Sequence, residues 1–172
     1  MVFPELPERM VCYPDPRLRE ACAPIEDFDD SVAALAERML QIMKTGDGVG
    51  LAGPQVGVCR RIFVCNPTGR PEDDRVYINP ELLDLVGTVE AEEGCLSLPE
   101  IRAVIHRARK GRIRAVDVNG EPFEHDGQDL IARIWQHEND HLGGRLIIDR
   151  MDATDRIANK KQLAYLEAQF KG

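Results

Sequence analysis

From Val32 onward apolar residues return every three or four positions, at Leu35, Ala36, Met39, Leu40 and Met43, the spacing that lines one face of an α-helix. Asp29 or Asp30 is suited to cap its start and Gly46 to stop it, so the pattern predicts an amphipathic helix against a core. It breaks in GDGVGLAGPQVGV, residues 46–58, which is too rich in glycine for regular structure and reads as a loop. The β-branched and aromatic run RRIFVC follows and predicts a strand. Further short strands are expected in RVYINPELL, in GTVEAEEGCLSL and in the stretch from Arg102 to Gly127, where Asn119-Gly120 marks a hairpin turn. From about Gln128 the period returns to helical through Leu130, Ile131, Ile134 and Trp135 and stops near Gly143. A last amphipathic helix runs from Thr154 to Phe170, with Ile157, Leu163, Leu166 and Phe170 as its apolar positions. The expected class is α+β: antiparallel and mixed short β-strands around a central helix, with one helix before them and one at the end.

Length and charge narrow the picture. A chain of 172 residues buries roughly two-thirds of its unfolded surface in one core, and with no repeat or linker it is expected to form one domain over residues 1–172. A formal charge of -8 argues against nucleic acid or an anionic membrane as the main partner, since both need a concentrated positive field. The basic run HRARKGRIR, His106 to Arg114, is interleaved with Ala, Gly and Ile, so it reads as the exposed faces of two strands and receives no function. The first residues lack the apolar run of a secretory peptide, and no later window approaches a membrane span. Five cysteines, Cys12, Cys22, Cys59, Cys65 and Cys95, include no C-x-x-C pair and suit a reducing cytoplasm better than a disulfide framework. A cytoplasmic protein is expected.

The second helix carries chemistry. WQHENDHLGG contains His-Glu-x-x-His, and on a helix His137 and His141 lie one turn apart on one face, so their imidazoles converge on a single ion. Glu138 is offset from both and is placed to handle the proton of a water on that ion. An ordinary polar helix face would read the same over so short a motif, so the third ligand decides the matter. The extended zinc-protease pattern places a glycine at Gly144 but requires a histidine where Ile147 stands. No histidine follows His141, which disfavours a peptidase of that kind. Upstream the candidates are Cys95, His106 and His125. The two histidines sit in charged, surface-like sequence, whereas Cys95 follows a glycine beside acids where a strand ends. A lone cysteine is more often simply buried, yet a thiolate with two imidazoles is a recognised catalytic set that leaves one tetrahedral position open.

Three motifs in order, GVGLAGPQ at Gly48 to Gln55, EGCLS at Glu93 to Ser97 and HENDH at His137 to His141, resemble those of the peptide deformylase family, and the flanks from YPDPRLR to LIIDRM extend the likeness over most of the chain. The resemblance implies a metal-dependent hydrolase that removes the N-formyl group from N-formylmethionyl peptides and nascent chains, releasing formate, in the N-terminal processing of newly made proteins. It implies Cys95, His137 and His141 as ligands of one divalent ion, Fe2+ in vivo with Zn2+ or Ni2+ as substitutes. Metal-bound water would be the nucleophile and Glu138 the general acid and base. Gln55 and the backbone N–H of Leu96 would stabilise the oxyanion, backbone groups near Val49, Gly50 and Gly94 would pair with the peptide, and Glu93 and Arg102 would support the ligands. The ribosome is a partner this role suggests. Two residues depart from the family pattern: Gly53 replaces an alanine and is expected to loosen its loop, and Asn139 replaces an apolar residue and is expected to meet water or a polar partner.

Overall fold

The computed structural model describes residues 2, 3 and 5–170. Three helices, α1 (Asp30–Thr45), α2 (Leu130–Leu142) and α3 (Ala153–Gln169), accompany seven strands: β1 (Gly50–Ala52), β2 (Ile62–Cys65), β3 (Arg75–Val86), β4 (Val89–Cys95), β5 (Leu98–Arg107), β6 (Lys110–Val116) and β7 (Pro122–Gln128). One sheet has the order β1-β2-β3-β6-β7, and β4-β5 forms a separate hairpin. Every ladder is antiparallel, and the only parallel pairing among the described residues is the isolated bridge between Ala23 and Arg60. The α+β class is as expected.

Strand β2 explains how the sheet sits. Alternate residues of a strand face opposite sides; Ile62 and Val64 pack with the α1 residues Val32, Leu35, Ala36, Met39 and Met43, while Phe63 and Cys65 pack with Ile134, Trp135 and Leu142 of α2. A strand covered on both faces reads as an unbroken apolar run, which is what IFVC is. The cap of α1 is Asp29, whose side chain accepts the Ser31 N–H at 2.9 Å. The hairpin packs separately, Leu98, Ile101, Ala103 and Ile105 meeting Leu146, Ile147 and Leu166. Helix α3 also covers the open edge of β5: Asp155 accepts the Val104 N–H at 2.8 Å, and Asn159 donates to the Arg102 carbonyl at 2.7 Å.

Three expectations need correction. The apolar face of α3 does not include Ile157 or Phe170, which are 76% and 40% exposed; Ile157 lies six residues before Leu163 and nine before Leu166, about a third and a half of a turn round the helix from them, and Phe170 follows the last helical residue. The glycine-rich stretch is not all loop, because Gly50–Ala52 forms β1 against β2. Composition hid this strand, since its glycine serves close approach: a Cβ on Gly50 would stand 2.2 Å from Glu138 Oε1. Nor does Gly53 loosen its loop. A Cβ there would meet the Val58 and Arg60 carbonyl oxygens at 2.5 and 2.8 Å, and the Gly53 carbonyl accepts the Val58 N–H at 2.9 Å. Those neighbours are backbone and cannot swing away, so Gly53→Ala is expected to destabilise by about 1 to 3 kcal/mol, the usual cost of overpacking. A denaturation midpoint equal to or above wild type would show that the turn yields.

Candidate active site

Helix α2 carries an amphipathic pattern with the site on its polar stripe. Glu138, Asp140 and His141 are buried on it alongside Ile134 and Trp135, and buried charge on this scale persists only when it is paired or serves a ligand. The last residue of β4, Cys95, faces this stripe. The ligand atoms of Cys95, His137 and His141 all lie within 4.8 Å of one another, with Cys95 Sγ 3.3 Å from His141 Nε2. The other histidines stand elsewhere: His106 is exposed on β5, and His125 on β7 contacts the Tyr77 hydroxyl at 3.3 Å.

The two imidazoles are held differently: against burial, hydrogen bonds to Cys95 and Glu93 raise His137 well above the usual imidazole range, so it must give up a proton to serve as a ligand. Glu93 Oε2 lies 3.0 Å from His137 Nδ1, and a carboxylate there fixes the ring and leaves the other nitrogen to the cluster. Burial alone would raise the Glu93 carboxyl, but His137 and Arg107 together hold it at about 2. Burial, followed by the charge on His137, holds His141 well below the usual imidazole range, which keeps it neutral and able to donate a lone pair. Glu138 sits beside the cluster with Oε2 buried and without a hydrogen-bond partner among the described residues. Burial pushes its carboxyl up to about 7. A soft thiolate, two imidazoles and an adjacent carboxylate oxygen wanting a polar partner fit a small divalent ion with a water beside it.

Of the two residues expected to support the ligands, Glu93 does so and Arg102 makes no hydrogen bond to a ligand or to Glu93. It is exposed, its guanidinium lies across Gly94, and its hydrogen bonds run to the Ile101 carbonyl and to Asn159. The guanidinium that holds Glu93 belongs to Arg107, whose Nε and Nη2 donate to the two carboxylate oxygens at 3.1 and 2.9 Å. Its Nη1 donates to Asp140 at 2.5 Å, and Arg150 closes the network with two bonds of 2.6 Å to the same carboxylate. Bidentate pairing and full use of the donors are what make such burial tolerable. Sequence reasoning missed Arg107, Asp140 and Arg150. The signal for Arg107 was available: Ile101, Ala103 and Ile105 set the inward register of β5, and residue 107 continues it. The rest of the basic run is as expected, with Arg112 partly exposed and Arg114 exposed, paired to Asp126 and Glu124.

The cluster opens into a pocket of about 490 Å³ lined by Val49, Gly50, Gln55, Gly94, Leu96 and Ile134 among others. Its two sides are β1 and β4, each the last strand of its sheet, so both present unpaired backbone groups. Gln55 is buried, and its Oε1 accepts the Ala52 N–H at 2.8 Å while its Nε2 points toward Cys95 Sγ at 3.5 Å. The Leu96 N–H has no acceptor among the described residues. Asn139 turns away from the cluster, and its Oδ1 accepts from Arg61 at 3.5 Å, so the polar residue in this position meets a cation.

Two imidazoles and a cysteine sulfur brought together beside a buried carboxylate form a candidate metal-binding site on an α+β scaffold. Residues 7–157 match the family model described as Polypeptide deformylase. Peptide deformylase from Acidobacterium capsulatum is 42% identical over 149 residues, covering 86% of this chain and 88% of the relative. That from Thermotoga neapolitana is 41% identical over 165 residues, covering 95% and 99%. Among solved structures, Arabidopsis thaliana peptide deformylase 1B in complex with an inhibitor superposes with a TM-score of 0.89 at 38% identity, covering 94% of this chain and 91% of that one. The Plasmodium falciparum peptide deformylase gives 0.90 at 33% identity, covering 95% and 100%. The chain belongs to the peptide deformylase family and is an enzyme of that family. Among the described residues no helix is long and apolar enough to cross a membrane.

Proposed function

We propose that this chain, acting as one catalytic domain over residues 1–172, removes the formyl group from N-formylmethionyl peptides of newly made proteins and releases formate. The observation that carries the reading is the convergence of the Cys95, His137 and His141 donors, the unpartnered Glu138 oxygen and the Gln55 amide on one pocket between two free strand edges. An extended peptide adds to such edges through main-chain hydrogen bonds, with backbone groups of Val49, Gly50 and Gly94 as its partners.

Cys95, His137 and His141 would hold one divalent ion, which supplies Lewis acidity and lowers the pKa of water so that a nucleophile is available near neutral pH. Fe2+ is the ion proposed in vivo, with Zn2+ or Ni2+ as substitutes, because a mixed sulfur and nitrogen donor set accepts all three. Glu138 takes the proton of the attacking water and returns it to the leaving nitrogen, a task suited to a carboxyl that titrates close to the working pH. The Gln55 amide and the Leu96 N–H donate to the carbonyl oxygen as it gains charge. Glu93, itself held by Arg107, orients His137 and takes no part in proton transfer. The proposed setting is the cytoplasm, with nascent chains as substrates and the ribosome as the place where they are met.

The acyl group tests this reading. A site closed by Cys95, Gln55 and Leu96 leaves room for a one-carbon acyl group, so a formyl-methionyl peptide is expected to react faster than its acetyl analogue by at least the ~10-fold that one methyl group commands in a pocket. Equal rates on the two would remove formyl selectivity from the account.

A further inference from the structure

We propose that Ser97 is a positioning residue for Gln55: its hydroxyl holds one hydrogen of the Gln55 amide so that the other is left for the carbonyl oxygen of the scissile amide. Ser97 is 0% exposed and Gln55 1%, so neither side chain can exchange its partner for bulk water. The Oε1 end of the amide is fixed by the Ala52 N–H at 2.8 Å, which leaves the NH2 group on the pocket side. A reversed amide would set two donors against each other at Ala52. On the pocket side Nε2 donates to Ser97 Oγ at 3.2 Å and, over a longer 3.5 Å, to Cys95 Sγ, so the hydrogen not held by Ser97 is turned toward the ligand cluster and reaches a substrate oxygen by giving up that weak contact with sulfur. The terminal torsion of a glutamine is broad, and a single bond at Oε1 does not define the plane of the amide. A second, at Nε2, does.

The main chain around this contact is braced independently of it. Residues 11–13 cross between the two segments, the Val11 N–H donating to the Gln55 carbonyl at 2.7 Å and the Tyr13 N–H to the Ser97 carbonyl at 2.8 Å. Strands β1 and β4 belong to different sheets, so this crossing segment fixes the spacing of the two residues. Loss of the Ser97 hydroxyl therefore leaves both backbones in place and the amide held at its nitrogen only by the longer contact to Cys95.

The proposal rests on the reading in which Gln55 faces the substrate carbonyl, and a double-mutant cycle on the metal-loaded enzyme separates the two. With a formyl-methionyl peptide, Gln55→Ala is expected to lower kcat by about 100-fold, the low end for an oxyanion donor. Ser97→Ala is expected to lower kcat by about tenfold through misorientation, with KM changed less than about twofold. In the double variant the Ser97 change should add nothing, because residues acting through one another are not additive. Ser97→Thr keeps the oxygen and is expected to retain most of the wild-type kcat, which separates the hydroxyl from packing. By NMR, the Gln55 side-chain amide protons should exchange with water faster in Ser97→Ala than in wild type. A wild-type kcat for Ser97→Ala beside a slow Gln55→Ala would overturn this proposal alone, as would a full tenfold loss repeated on the Gln55→Ala background. Wild-type turnover by Gln55→Ala would overturn the oxyanion reading and this proposal with it.

Discussion

Cys95→Ala is expected to leave the protein folded but without bound metal, and to reduce formate release by more than about a thousandfold, since Lewis-acid stabilisation is worth several kcal/mol. The expectation follows from the donor count. Only Cys95, His137 and His141 bring ligand atoms together among the described residues, and two imidazoles one helical turn apart are a weak site without a third donor. The remaining thiols give the control. Cys12 is exposed, Cys59 is partly exposed, and Cys22 and Cys65 are buried in the core; substituting each with Ser should change metal content little, although the buried pair will carry some loss of stability from a polar group placed in the core. Metal analysis of freshly purified variants reads the result. Full occupancy in Cys95→Ala would refute the third-ligand assignment, and the placement of His106 and His125 offers no substitute.

Glu138→Gln is expected to keep its metal and still bind formylated peptide, yet turn over at least about a hundredfold more slowly, the low end of what a positioned general base contributes. The side chain is 4% exposed and has one carboxylate oxygen without a partner, so the variant preserves shape and removes only the ability to carry a proton. Gly50 gives Glu138 the space it occupies, and the amide fits the same space. Near-normal turnover by the metal-loaded variant would end the proton-transfer role. Loss of the metal would instead place Glu138 among the ligands.

The central features of the site were legible because they are local. His137, Glu138 and His141 are set by the period of one helix, and that helix was readable from Leu130, Ile131, Ile134 and Trp135. The strand at Ile62–Cys65 and the hairpin at Asn119-Gly120 were legible for the same reason. What could not be read locally was pairing between distant segments. The glycine-rich stretch becomes β1 only because β2 lies beside it. Cys95 was no more than a candidate until the three motifs were taken together, since the contact between β4 and α2 spans 46 residues. Arg102 and Arg107 lie on one strand five residues apart and face opposite ways; the identity of Glu93's partner depended on strand register, which the alternation of Ile101, Ala103 and Ile105 contained and the basic composition of the run obscured. Asp140 was overlooked because its charge is answered by Arg107 and Arg150, neither of which is its neighbour on the helix.

The measurement that bears most directly on the proposed reaction is an analysis of both products from a formyl-methionyl peptide incubated with the Fe2+-loaded enzyme. Formate and a peptide with a free amino-terminal methionine should appear in equal amounts and at equal rates, since only the formyl amide is cleaved. Release of formyl-methionine together with a peptide shortened by one residue would contradict the account, because the site would then be cutting the peptide bond instead.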